Sequence, residues 1–257
     1  MIFYLSCTGN TLWAANRLSK SLQESLVPVT DPAATATAYR LKEDEKLGFC
    51  FPVHGWRPPK IVRDFIRRLT VENMSGHYSF ALCTAGDNIG ETMDIFQQDL
   101  KQRGIKLNST FSLIMPESYV GMPFMDVDKP AKEAQKKKMA AELLTQYIEM
   151  IDNEEDGIRR LTIGNWPRIN SRIIGGYFVR HLVTDKPFRV DEQRCVKCGK
   201  CASVCPAANV IGGKDRFPAW KKDGSCLACF ACYHHCPTRA IEYGRRTKNK
   251  GQYYYKP

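Results

Sequence analysis

Short apolar runs alternate along the first 152 residues with longer stretches in which apolar positions recur every three or four residues. Ile2 to Cys7, Leu47 to Val53, Tyr78 to Thr84 and Ile105 to Met115 have the length and composition of buried strands, and Leu26 to Val29 is a shorter one. Between and after them, Leu12 to Leu18, Ile61 to Leu69, Ile89 to Lys101 and about 131–151 carry helical periodicity. In the last of these helices Met139, Leu143, Tyr147, Ile148 and Ile151 share the apolar face, and Lys136-Lys137-Lys138 reads as its solvated side. Strands alternating with amphipathic helices predict an α/β fold, a doubly wound, five-stranded parallel sheet covered on both faces.

The pattern breaks at Asp152-Asn153-Glu154-Glu155-Asp156-Gly157, a polar boundary. Beyond it, residues 158–185 mix arginines with Ile173, Ile174, Tyr177, Phe178, Leu182 and Val183. That mixture suits a membrane-surface helix, but a linker helix docking one domain on another is the plainer expectation, and Gly175-Gly176 weakens any long helix. The chain therefore divides into 1–152, a linker or docking segment 153–187, and 188–257.

Composition supports a two-part protein. The chain has 257 residues, 43% of them hydrophobic, with a formal net charge of +11. Residues 1–130 are neutral overall and 131–157 carry −3, whereas 158–190 carry +6 and 191–257 carry +8. No apolar run approaches the roughly 20 residues that span a bilayer. The start lacks the basic segment and cleavage site of a signal peptide, so the expected address is the cytoplasm.

Eight of the 11 cysteines fall within residues 195–236. In a cytoplasmic chain such crowding points to metal rather than disulfides. Cys195, Cys198, Cys201 and Cys205-Pro206 form one C-x2-C-x2-C-x3-C-P run; Cys226, Cys229, Cys232 and Cys236-Pro237 form a second. This is the run that bacterial ferredoxins use for 4Fe-4S clusters, in which the fourth cysteine serves the other cluster. The expected ligand sets are Cys195, Cys198, Cys201 and Cys236 for one cluster, and Cys226, Cys229, Cys232 and Cys205 for the other. Paired zinc sites, as in a nucleic-acid binder, also use C-x2-C pairs but have no use for a third cysteine two residues on. His234 and His235, between ligands of the second run, read as exposed loop residues. Even with about −2 for each oxidised cluster, the second half of the chain stays positive by about +10, which suits a redox partner protein with an acidic docking face. Tyr253-Tyr254-Tyr255-Lys256 is a faint nucleic-acid signal beside this, and no nucleic-acid partner is expected.

Three strand-end loops of the first part carry further chemistry. Ser6-Cys7-Thr8-Gly9-Asn10-Thr11 runs into a helix and offers hydroxyls and free helix-start N–H groups, a phosphate cradle without a Walker lysine. Pro52-Val53-His54-Gly55-Trp56 offers an aromatic face, and Thr84-Ala85-Gly86-Asp87-Asn88-Ile89-Gly90 offers small residues that let a planar ligand approach. A monophosphate on the first loop and a flat ring between the other two describe FMN. Cys7, Cys50 and Cys83 read as buried, inert side chains.

With its Thr8-Gly9-Asn10-Thr11 core, the first part resembles a flavodoxin. The whole chain resembles the flavodoxin–ferredoxin fusion proteins, and Met115-Pro116-Glu117-Ser118-Tyr119 is also similar to a stretch of that family. The resemblance implies that Ser6, Thr8, Gly9, Asn10 and Thr11 hold the FMN phosphate, that Trp56 stacks on the ring, and that the Gly55 peptide turns toward the one-electron-reduced flavin. His54 stands where many relatives have a tyrosine. The implied cofactors are FMN and two 4Fe-4S clusters, and the implied function is electron transfer that couples one-electron to two-electron redox partners. The alternative is an FMN-dependent reductase of a small organic substrate fed by its own ferredoxin domain, with His54, Glu117 and Tyr119 as candidate proton donors. A homodimer or a domain swing is needed only if flavin and cluster lie far apart within one chain.

Overall fold

The computed structural model describes residues 1–35 and 38–256. Its first part is a parallel sheet of six strands: β1 (Ile2–Tyr4), β2 (Leu26–Pro28), β3 (Leu47–Pro52), β4 (Ser79–Ala85), β5 (Ser109–Ile114) and β6 (Ile158–Arg160). The order is β2-β1-β3-β4-β5-β6, and every neighbouring pair is parallel. The first five strands follow the flavodoxin-like doubly wound order, with the chain reversing direction across the sheet at β1 and β3. Alternation along the strands feeds two cores. Phe49 and Phe51 of β3 face α2 (Lys60–Arg68) and α3 (Thr92–Lys101), whereas Cys50 faces α1 (Asn10–Leu22) and α4 (Pro130–Asp152).

In the sheet and in α4 the structure departs from the sequence reading. The sheet has a sixth strand, Ile158–Arg160, which pairs with Ser109–Phe111 of β5. Its two arginines conceal it, because an edge strand of three residues needs no apolar alternation. The buried face of α4 is Ala140, Leu144, Tyr147 and Ile151, while Met139 is exposed. Lys136 is not on a solvated side: its ammonium is tied to Asp128 (2.5 Å) and to the carbonyl of Gly86 (2.6 Å).

Residues 169–182 form a helical segment, π-wound at Ile169–Ile174 and Phe178–Leu182 with three α-helical residues between. After it come two small antiparallel pairs, β7 (Phe188–Val190) with β10 (Ile241–Tyr243), and β8 (Val210–Ile211) with β9 (Ala219–Trp220). A third core, with Phe188, Phe230, Tyr233 and Tyr243 at its centre, lies between them. Among the described residues no helix is long and apolar enough to cross a membrane.

Candidate cofactor sites at the strand ends

The two cysteine runs interleave. One cavity is lined by Cys195, Cys198, Cys201 and Cys236, and a second by Cys205, Cys226, Cys229 and Cys232. Each run thus lends its fourth cysteine to the other cavity. The two cavities are of nearly equal size, so they suit two guests of one kind. Backbone N–H groups of Asn209, Ala228 and Ala240 donate to the sulfurs of Cys205, Cys226 and Cys236 at 3.2–3.3 Å. Trp220 lines the second cavity, and its buried indole N–H finds no acceptor among the described residues. Burial pushes the thiol of Cys201 up to about 11 and that of Cys226 up to about 12, so these groups need a bound cation to ionise near neutrality. Among the described residues no three His, Cys, Asp or Glu side chains are grouped to hold a single ion. The thiols instead ring a space, which is the arrangement a polynuclear cluster needs.

The second cavity sits against the sheet. Leu227 is part of the α2–α3 core, and Ala207 and Cys229 pack on it. There the Cys7 and Cys229 thiols meet: their hydrogen bond is the leading cause that drives the Cys7 pKa up and the Cys229 pKa down. Cys50 and Cys83 are the inert core residues that the sequence suggests, their pKa values raised by desolvation. Cys7 is not.

Cys7 belongs to the first strand-end loop. That loop ends at Gly9 in the left-handed region (φ 93°), and α1 starts without a side-chain cap. Helix-start N–H groups have no intrahelical acceptor, and here Leu12 N–H turns to Ser6 Oγ at 3.2 Å. Thr8, Asn10 and Thr11 are buried; Thr11 shares a 2.8 Å hydrogen bond with Thr84 of the third loop, and Thr8 reaches Ser118 Oγ. Uncapped N–H groups beside the hydroxyls of Ser6, Thr8 and Thr11, with no carboxylate in the loop, make a donor set that fits a phosphate monoester.

The second and third loops are laced together. Trp56 Nε1 donates to Asn88 Oδ1 at 2.8 Å, and Gly90 approaches Trp56 and Ser171 too closely for a side chain. Pro52 and Val53 continue β3, Thr84 and Ala85 end β4, and Asp87 accepts from Asn88. The segment 169–182 lies over the second loop. Phe178 packs on Gly55, whose carbonyl abuts the Cα of Gly175, so the peptide rotation implied for Gly55 begins from a packed position. The Glu117 carboxylate lies on Gly86 and accepts the N–H groups of Ser118 and Tyr119 (2.9 and 2.8 Å); burial nevertheless raises its pKa.

Residues 188–243 match the 4Fe-4S dicluster domain family. An uncharacterized ferredoxin of Methanocaldococcus jannaschii is 38% identical over 55 residues, which are 20% of this chain and 70% of that one. The chain belongs to the 4Fe-4S dicluster ferredoxins. The ferredoxin unit is the C-terminal fifth to quarter of a longer α/β protein. A solved structure, the Trp repressor binding protein from Bacillus subtilis, is similar at a TM-score of 0.38 and 12% identity, over 56% of this chain and 94% of that one.

The ferredoxin unit is fastened to the sheet by residues that the sequence left as surface. His234 is buried, not an exposed loop residue. Its Nδ1 accepts the N–H of Tyr253, so Nε2 carries the proton and donates to Ser118 O at 2.6 Å. His235 stacks on Tyr254 at 4.3 Å. The stretch 252–256 then crosses the first loop: Tyr255 N–H donates to Thr8 O at 2.7 Å, and Tyr253 Oη donates to Asn10 Oδ1 at 2.6 Å. These tyrosines are a strap, spent on the protein's own loop. Tyr253→Phe is expected to cost about 1–2 kcal/mol, because Asn10 Oδ1 is left buried without its donor. A denaturant titration showing no loss would place the strap outside the cooperative unit.

His54 is neutral at pH 7, since desolvation lowers its pKa to about 4. A base whose pKa falls on folding is stable unprotonated, so its contribution is full above the unfolded value of about 6.5 and is lost as pH falls toward 4. Stability is therefore expected to decline over that window by about 2 kcal/mol for this group, and His54→Asn is expected to flatten the decline. Equal slopes for both proteins in pH-dependent denaturation would remove His54 as its source.

Proposed function

We propose that the chain is an iron–sulfur flavoprotein that relays electrons between a partner protein, two 4Fe-4S clusters and FMN, all within one monomer. The contact that carries this reading is Cys7 against Cys229: a residue of the proposed phosphate loop touches a proposed cluster ligand. Cys195, Cys198, Cys201 and Cys236 hold the outer cluster, whose Cys198 is solvent-exposed, and Cys226, Cys229, Cys232 and Cys205 hold the inner one. Lys197 and Lys200 line the outer cavity and give it the positive rim that an acidic donor protein needs. Ser6, Thr8, Gly9, Asn10 and Thr11 bind the FMN phosphate, and the loops at 52–56 and 84–90 border its ring.

When bound, FMN supplies a centre that takes one or two electrons, whereas each cluster exchanges one. The chain's own residues hold the loops shut, keep water from the inner cluster and set the local protonation. Glu117, with its raised pKa beside Gly86, is better placed to deliver a proton than His54, which is already neutral. Glu117 also supports the second reading, a reductase of a small organic molecule, in which the same carboxyl serves the substrate. We assign the protein to the cytoplasm, where its thiols stay reduced for cluster assembly.

Anaerobic purification followed by FMN, iron and sulfide analysis tests the proposal. About one FMN with about eight iron and eight sulfide per chain is expected. Iron without flavin would leave a ferredoxin on an empty α/β scaffold, and zinc in place of iron would overturn both parts. Turnover of a defined small molecule under a low-potential donor would select the reductase reading.

A further inference from the structure

The segment 169–182 has two unlike faces. One is seated on the sheet's loops: Ser171 Oγ accepts the N–H of Glu91 (2.8 Å), Ser171 O accepts from Arg57 (2.7 Å), and Gly175 lies on the carbonyl of Gly55. The other face is apolar and open. On the segment Ile169 is 47% exposed, Ile173 67%, Ile174 47% and Tyr177 61%, and just before it Trp166 is 75% exposed. Large apolar side chains bared together on one element mark an interaction surface rather than ordinary scatter.

The charge around this face selects its occupant. Between Gly157 and Thr184 there are five arginines and not one Asp or Glu. Arg159 is paired with Asp94 and Arg172 with Glu91, but Arg160, Arg168 and Arg180 are exposed and have no carboxylate partner among the described residues. A second copy docked face to face would bring these arginines against their own images. An anionic surface would be drawn to them. Isoleucines flanked by Trp, Tyr and Arg are the composition of a helix lying in a lipid interface, with its aliphatic side chains among the acyl chains and its guanidinium groups at the phosphates.

We propose that this face binds the protein to the surface of an anionic membrane, with the segment 169–182 in the plane of the headgroups and no part of the chain crossing it. The proposal is independent of the flavin. It places a redox protein where a lipid-embedded donor or acceptor is within reach.

Vesicle flotation of the anaerobically purified, full-length protein tests this. The chain is expected to float with phosphatidylcholine–phosphatidylglycerol vesicles and to stay behind with phosphatidylcholine alone. Raised salt should release it, because screening shortens the reach of the arginines. Arg168→Glu with Arg180→Glu is expected to weaken partition by about 30-fold or more. Ile173→Asp with Tyr177→Asp should abolish it. All four side chains are solvent-exposed, so an unchanged cluster absorption spectrum verifies that each variant is folded. Three results would overturn the proposal: no flotation with either vesicle; a dimer in sedimentation that the aspartate pair splits, without flotation; or retention on polyglutamate by a protein that ignores vesicles.

Discussion

Cys229→Ser, purified without air, is expected to carry about half the iron of the parent and to unfold at markedly lower denaturant. Cys198→Ser is expected to lose a similar share of iron with a much smaller loss of stability. The difference lies in where the two cysteines sit. Cys198 is exposed at the outer cavity, so a disordered site there disturbs little else. Cys229 packs on the α2–α3 core together with Leu227 and meets Cys7, so its cavity is part of the seam between ferredoxin unit and sheet. An empty inner site leaves buried thiols without a cation and an apolar seam without its filler, a loss on the order of a few kcal/mol. Iron analysis paired with urea denaturation measures both effects. Equal stabilities for the two variants would show that the inner cluster does not brace the seam.

Gly175→Ala and Gly176→Ala should shift stability in opposite directions. A Cβ at Gly175 would enter the space of the Gly55 carbonyl and crowd that of Asn170, and neither backbone atom can rotate aside. The segment 169–182 would have to lift from the second loop, carrying Phe178 and Ser171 with it. A cost of about 2–4 kcal/mol is expected, at the upper end for an overpacked site. At Gly176 a Cβ meets nothing within 4 Å, and alanine in a helix is worth up to about 1 kcal/mol over glycine. Thermal denaturation of the two variants reads the sign directly. A stabilised Gly175→Ala would mean that the segment is not held against the loop.

Much of this architecture is legible from the residues. The parallel sheet and its flanking helices follow from apolar runs whose periodicity switches between two and 3.6, a signal set by burial on both sheet faces. The pairing of cysteines into two interleaved cavities follows from the resemblance to the ferredoxin run, in which three thiols two residues apart share one turn and the fourth serves the other cluster. What the sequence did not disclose are contacts made by residues of ambiguous type. Ile158–Arg160 joins the sheet through backbone hydrogen bonds that place no demand on its side chains. Lys136 looks like part of a charged run, and only the position of Asp128 and the Gly86 carbonyl gives it a buried task. Cys7 reads as a small core residue until the ferredoxin unit arrives against it. His234 and Tyr253 are separated by 19 residues and meet across a unit boundary, where no periodicity operates.

The strap over the first loop sets an order of assembly. Tyr253 and Asn10 are 243 residues apart, so the loop emerges in synthesis long before the stretch that covers it. Units fold in the order they emerge, which leaves Ser6 to Thr11 open to solvent through most of translation. The phosphate-bearing guest proposed for this loop would therefore have its easiest entry while the polypeptide is still growing. Once the ferredoxin unit has folded and drawn 252–256 across, departure requires that stretch to fray first. Retention of such a guest would then be a question of how often the strap opens rather than of how tightly the loop grips.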